Sequence, residues 1–327
     1  MQTETLLPWQ KTIWESLLVR KNQDRLPHAL LFSGVDGVGK KELAQKFANY
    51  LLCHSPQKNG ACTQCRACRL QQAKSHPDFM CVMPEEKAQF IKIDQIREVV
   101  SFVNSTAMLN GYRVIVIHPA DAMNIYAANA LLKTLEEPTP NTLLILICHQ
   151  GLRLPATITS RCQKINFSIP DREMALAWLH SEVSNTSAET LSLALNLSEG
   201  APLQARNFLM NDMLALRRDL YDGLIQLSAK SADPLQFAAK WQDKDVKMIL
   251  NLLLVWLRDL LRCKLTGSFT HSDYGTAISQ LTRKFTAESL LQYSDVIQKL
   301  YAHILNSMNI NRQLLLKEIF IRWVKLC

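Results

Sequence analysis

The sequence predicts an α/β domain followed by an all-α region, and three observations carry that reading. Short β-branched or aromatic runs alternate with helical patterns as far as about residue 170; a glycine-rich stretch stands between the first run and the first long helix; and beyond Pro170 the strand-like runs disappear. Alternation of this kind is how a parallel sheet with crossover helices reads in sequence.

In order along the chain, Ala29 to Phe32 reads as a buried strand and Lys41 to Leu52 as the helix after it. Phe79 to Val82, Arg113 to Ile117 and Leu143 to Cys148 share the strand character, and Ile165 to Phe167 makes a fifth. Asp94 is placed to cap a helix through Val103, and Ala127 to Glu137 forms another that Pro138 and Pro140 stop. Thr186 with Glu189 forms a capping box for a helix through Leu197, closed by Gly200 and Pro202. From Phe208 onward amphipathic stretches dominate: Asp245 to Leu265, Ala287 to Ser307 and Arg312 to Val324. Helices this apolar make a core, or bury one face against other subunits.

A chain of 327 residues, 48% hydrophobic and 20% charged, is long enough for two or three compact units with sizeable cores. The longest charge-free apolar run of the second half, Met248 to Leu257, is about half of the roughly 20 residues a bilayer span requires, so no membrane partner is expected. The opening MQTETLLPWQ lacks the basic start, apolar stretch and cleavage site of a secretory signal, which points to the cytoplasm. In a reducing compartment, nine cysteines read as metal ligands or small buried hydrophobes rather than disulfides. Thirty-seven Lys and Arg against 29 Asp and Glu give +8, which suits either a polyanion or simply a solvated basic surface.

Gly34-Val35-Asp36-Gly37-Val38-Gly39-Lys40 lies between a strand and a helix, where backbone N–H groups cradle phosphates and Lys40 reaches the terminal ones. The next residue must offer a hydroxyl to Mg²⁺, and it is Lys41. The strand Arg113 to Ile117 stands where a second, metal-binding acid belongs, but His118 and Pro119 follow, with Asp121 displaced. Both protein anchors for a metal-bridged ATP are missing; a vestigial loop, weak binding without hydrolysis and a working ATPase are the three readings that stay open.

Cys53, Cys62, Cys65 and Cys68 have the spacing C-x8-C-x2-C-x2-C, which lets thiolates converge on one tetrahedral zinc ion. Four sulfurs leave no open position, so the metal is structural; His54 and His76 are alternative ligands, and an iron–sulfur cluster is the competing thiolate reading. Cys81, Cys148, Cys162, Cys263 and Cys327 show no clustering and read as buried or incidental thiols. Ser160-Arg161-Cys162 follows a short helical turn begun by Pro155. Arg161 reads as a surface charge or as a guanidinium that stabilises a transferring phosphate in a neighbouring subunit.

Several segments together resemble the clamp-loader branch of the AAA+ ATPases: Leu26-Pro27-His28-Ala29-Leu30-Leu31, the four-cysteine insert, His76-Pro77-Asp78, Asn129 to Pro138, Ser160-Arg161-Cys162 and Asn309-Ile310-Asn311-Arg312. The resemblance runs nearly end to end, and the failed phosphate loop points to a non-motor member of the bacterial DNA polymerase III holoenzyme, a nucleotidyltransferase assembly. It implies a RecA-like AAA+ domain over 1–168 with a zinc module at 53–68, a helical lid over 169–207 and a helical collar for oligomerisation over 208–327. It further implies a ring with γ or τ and δ subunits that loads a sliding clamp on primed DNA. Within that ring Arg161 is the arginine finger offered in trans to a γ or τ ATP site, and this chain hydrolyses no ATP. Leu203 falls where the motor subunits carry a phosphate-sensing arginine. The alternatives are an autonomous AAA+ ATPase of replication or repair, and a zinc-stabilised DNA-binding protein acting alone.

Overall fold

A computed structural model describes residues 5–85, 88–109, 111–149, 154–306 and 311–326. Met1 to Glu4, Ser307, Asn309, Ile310 and Cys327, on which some sequence readings fall, lie outside them. The chain divides into two compact units, Met1–Trp178 with Gly200–Gln204, and Leu179–Glu199 with Ala205–Cys327.

The first unit is built on five strands, β1 (Ala29–Ser33), β2 (Phe79–Val82), β3 (Arg113–Ile117), β4 (Thr142–Cys148) and β5 (Gln163–Asn166). They form one parallel sheet in the order β2-β3-β4-β1-β5. The helices are α1 (Lys11–Asn22), α2 (Lys40–Leu52), α3 (Arg66–Gln72), α4 (Ile93–Asn104), α5 (Ile125–Glu136), α6 (Ala156–Thr159) and α7 (Arg172–Glu182). Apart from Arg113, Thr142 and Ser33 at their ends, the central strands are apolar because both faces are covered. Alternate residues serve opposite faces: Leu31, Ile115, Leu144 and Leu146 pack with α4 and α5, while Leu30, Phe32, Val114 and Ile145 pack with α1 and α2.

The second half contains α8 (Ala188–Leu197), α9 (Pro202–Met210), α10 (Met213–Ser228), α11 (Pro234–Trp241), α12 (Val246–Thr266), α13 (Gly275–Lys284), α14 (Ala287–Asn306) and α15 (Arg312–Leu326). Helices α10 to α15 share a core around the fully buried Trp256 and Trp323. No described helix is long and apolar enough to cross a membrane.

Four local expectations are corrected. Asp94 does not cap α4; the cap is Lys92, two residues earlier, and the Gln95 side chain accepts the Lys92 N–H at 3.0 Å. Ser187, not Thr186, caps α8, accepting from the Thr190 N–H, so the expected box with Glu189 does not form. Pro202 opens α9 rather than closing α8, consistent with a residue that has no N–H to lose in a first turn. The fifth strand begins two residues before Ile165, drawn back by its pairing of Gln163 with Leu30.

Candidate functional site

The glycine loop leaves β1 and enters α2 through Gly39, whose φ of +89° suits a residue without Cβ. Its carbonyls are bonded within the chain. Lys40 is buried, and its ammonium donates to the carbonyls of Gly34 at 2.7 Å and Val35 at 2.5 Å. Trp9 Nε1 donates to the Val38 carbonyl at 2.9 Å, Gln10 Nε2 to that of Gly39 at 2.6 Å, and the Leu203 N–H to that of Gly37 at 3.0 Å. Asp36 Oδ1 accepts the Gly37 N–H at 2.9 Å, placing the chain's own carboxylate on a donor that a phosphate would use. Burial lowers the Lys40 pKa, against the pull of Asp36.

Lys41 is exposed, with its ammonium 3.9 Å from the Met83 sulfur. At the carboxyl end of β3, where an acid would hold a metal, stands His118; its ring meets that of His149, at the end of β4, edge to face at 5.2 Å. Burial, with His149 and the two lysines adding to it, holds His118 down to about 4. His149 is lowered for the same first reason and lies 3.4 Å from Asp36. Asp121 turns to the His149 N–H at 3.4 Å. The carboxyl ends of β3 and β4 therefore carry two imidazoles, neutral at neutral pH, at the positions themselves, with the Asp36 and Asp121 carboxylates turned to His149. Leu203 is buried as an apolar side chain and brings no charge to the loop.

Arg161 lies at the other edge of the sheet. Because β5 is parallel to β1 and Gln163 pairs with Leu30, Arg161 precedes the amino-terminal edge while Gly34 follows the carboxyl-terminal one. The separation along the strands is at least about 10 Å. Its guanidinium reaches Glu136 Oε1 at 2.5 Å through one terminal nitrogen and the Thr157 carbonyl at 3.0 Å through the other, and the side chain remains 35% exposed.

The four sulfurs of Cys53, Cys62, Cys65 and Cys68 lie within 4.8 Å of one another; neither His54 nor His76 joins the group. Cys53 ends α2, and Cys65 caps α3 by accepting the Cys68 N–H, so two helix termini fix the cluster. Sulfur separations are 3.9 Å for Cys53 to Cys65, 3.9 Å for Cys62 to Cys68 and 3.6 Å for Cys53 to Cys68. A tetrahedral ion with bonds of about 2.3 Å requires edges of about 3.8 Å, so the four residues fit one zinc ion. A multi-iron cluster puts thiolates on different irons and would spread them further. Backbone N–H groups of Gln64 and Cys65 bring the Cys62 thiol down to about 6, whereas burial pushes the Cys53 and Cys68 thiols up, so the four do not share one thiolate character without an ion. Of the other thiols, Cys148 is buried, Cys162 and Cys263 are half-buried and Cys81 is exposed.

Sequence reasoning had no means of finding three contributors: Asp36 as an internal anion, Gln10 as a brace under the loop, and Glu136 as the partner of Arg161. Each acts through a contact whose geometry or distance in sequence leaves no periodic signal. The His76-Pro77-Asp78 segment also acquires a physical role, since buried Asp78 accepts the N–H groups of Met108 at 2.7 Å and Leu109 at 2.8 Å and so fixes the entry to β3.

A family model described as DNA polymerase III, delta subunit matches residues 9–171, and one described as DNA polymerase III, delta subunit, C terminal matches residues 211–325. The chain is 35% identical to DNA polymerase III subunit delta' of Pseudomonas aeruginosa, covering 98% of both, and 32% identical to that of Escherichia coli, covering 96% of this chain and 94% of the relative. A solved gamma subunit-related protein of Thermotoga maritima superposes with a TM-score of 0.47 at 21% identity over 96% of this chain and 99% of its own, too loose a likeness to carry an argument.

Proposed function

The chain belongs to the DNA polymerase III subunit delta' family, and from that membership we propose that it is a non-motor subunit of the replicative clamp loader that completes a neighbour's ATP site without turning over ATP itself. The observation that carries this reading is the polarity of the first unit. The glycine loop at one edge of the sheet is closed on its own lysine and aspartate, while Arg161 at the opposite edge keeps a partly exposed guanidinium.

A phosphate entering Gly34, Gly37, Gly39 and Lys40 would have to displace the Asp36 carboxylate from the Gly37 N–H and pull Lys40 off two carbonyls. It would then meet no hydroxyl at Lys41 and no acid at His118 with which to bind magnesium. Arg161 faces a different task. Its strand-length displacement suits a phosphate held by another chain, in this reading a γ or τ motor subunit, with δ completing a ring that places a sliding clamp on primed DNA in the cytoplasm.

The three-part division into 1–168, 169–207 and 208–327 belongs to this proposal, with the last segment as the collar that joins subunits. The cysteines at 53, 62, 65 and 68 hold structural zinc that ties the end of α2 to α3. Metal analysis is expected to find one zinc per chain; serine at Cys62 and Cys65 releases it and renders the 53–76 segment protease-sensitive. A metal-free preparation of undiminished stability contradicts the assignment.

The decisive experiment compares the isolated chain with the reconstituted complex. Alone, the chain is expected to show no ATP hydrolysis; in the complex, Arg161→Ala leaves assembly intact and slows turnover. A sole arginine finger contributes about 10³–10⁵ in rate, so where several sites share the load a loss of about tenfold is expected. Unchanged turnover in that variant removes the role, and hydrolysis by the lone chain that vanishes in Lys40→Ala replaces it with an autonomous ATPase.

A further inference from the structure

We propose that Glu136 is the positioning residue for the Arg161 guanidinium, so that the trans-acting arginine works as a pair built from the end of α5 and the end of α6; this rests on the reading of Arg161 given above. Helix α5 leaves the carboxyl edge of the sheet after β3 and returns to the amino edge before β4, which brings its last residue to the place where Arg161 precedes β5. Glu136 Oε1 then takes one terminal nitrogen at 2.5 Å, and the Thr157 carbonyl takes the other at 3.0 Å. Two anchors on two terminal nitrogens set both the direction and the plane of the fork. A guanidinium has five N–H donors; the nitrogen on the Thr157 carbonyl also lies 3.4 Å from Ser160 Oγ, which leaves the Nε hydrogen and one on the nitrogen that meets Glu136 available to a phosphate.

A helix-stabilising role fits Glu136 poorly. It occupies the last turn of α5, where the helix dipole is negative and a carboxylate is unfavourable, so a glutamine there suits the helix at least as well. An exposed ion pair also adds little to folding. What the carboxylate does supply is order, because an arginine held in one rotamer before the neighbour docks has less freedom to lose when it meets the phosphate. Glu137, one residue on, is the helix C-cap and lies outside this pair.

The test uses the reconstituted clamp-loader complex, with saturating clamp and primed DNA, and reads kcat and KM for ATP in Glu136→Gln, Glu136→Asp, Glu137→Gln, Arg161→Ala and the Glu136→Gln/Arg161→Ala double variant. Ordering one long side chain at a contact is worth about 2- to 10-fold in rate, so Glu136→Gln is expected to lower kcat by that factor with KM and thermal stability unchanged. Glu136→Asp recovers part of the loss, Glu137→Gln keeps the parental rate, and Glu136→Gln has no effect once Arg161 is alanine. A slow Arg161→Ala beside a normal or faster Glu136→Gln overturns the pairing and leaves the trans reading standing. An equal loss in Glu137→Gln, or an undiminished Glu136→Gln effect in the double variant, also overturns it, whereas a normal Arg161→Ala sinks the trans reading itself.

Discussion

The two edges of the sheet in the first unit have opposite characters. At the carboxyl edge, a glycine loop shaped for phosphate has its carbonyls bound by Lys40, Trp9, Gln10 and Leu203, and an internal carboxylate sits on the Gly37 N–H. At the amino edge, Arg161 is anchored by Glu136 and Thr157 yet still partly exposed. On the reading proposed above, the contrast teaches that the receiving and donating halves of a shared ATP site are physically separable. They lie a strand length apart and rest on different contacts, so one half can close while the other keeps its geometry.

The comparison is broken most directly by exchanging the two cations. In the assembled complex, Arg161→Ala is expected to cost about tenfold or more in turnover while Lys40→Ala leaves the parental rate. A large loss from Lys40→Ala would mean that the closed loop takes part in turnover after all.

A smaller but substantial effect sharpens the view that the loop glycines persist for packing. At Gly39 a Cβ would come within 2.4 Å of both Leu7 Cδ1 and Gln10 Nε2, and φ is +89°. Gly39→Ala is therefore expected to lower stability by about 2–4 kcal/mol in urea denaturation, with no ligand present. Wild-type stability in that variant would show that the loop is not held as described.

The smallest expected effect is on pH dependence. His118 lies near 4 in the folded protein against 6.5 when free, so between those values the unfolded chain binds the proton first. Its contribution to stability is full above about pH 6.5 and lost as pH falls toward 4, amounting to the order of 1–2 kcal/mol after allowance for partial solvent screening. Urea midpoints measured from pH 7.5 to 4.5 should fall less steeply in His118→Asn; parallel curves would place the buried proton-binding group elsewhere.

Much of the fold was legible because its signals are local. Four of the five strands were found to within one residue, since β-branched and aromatic runs such as Arg113 to Ile117 carry their own periodicity. The cysteine cluster was equally readable, its spacing being one that lets four sulfurs converge. Apart from the start of β5, the errors fell on helix ends, where Ser187 and Thr186 are both accepted caps by type and the backbone decides. The missing hydroxyl was visible at Lys41, but the contacts that hold the loop at Gly37 were not. Those come from Asp36 and from the Leu203 N–H, which sequence places 166 positions from Gly37. The pairing of Arg161 with Glu136 stayed hidden for the same cause, although both residues stand in segments that carried the resemblance.

The ammonium of Lys40, seated between two carbonyls, makes the loop complete without a guest. On the reading proposed above, a loop that is its own occupant is deaf to the supply of ATP, so when fuel runs low this chain would keep its conformation and hold its place in a stalled assembly.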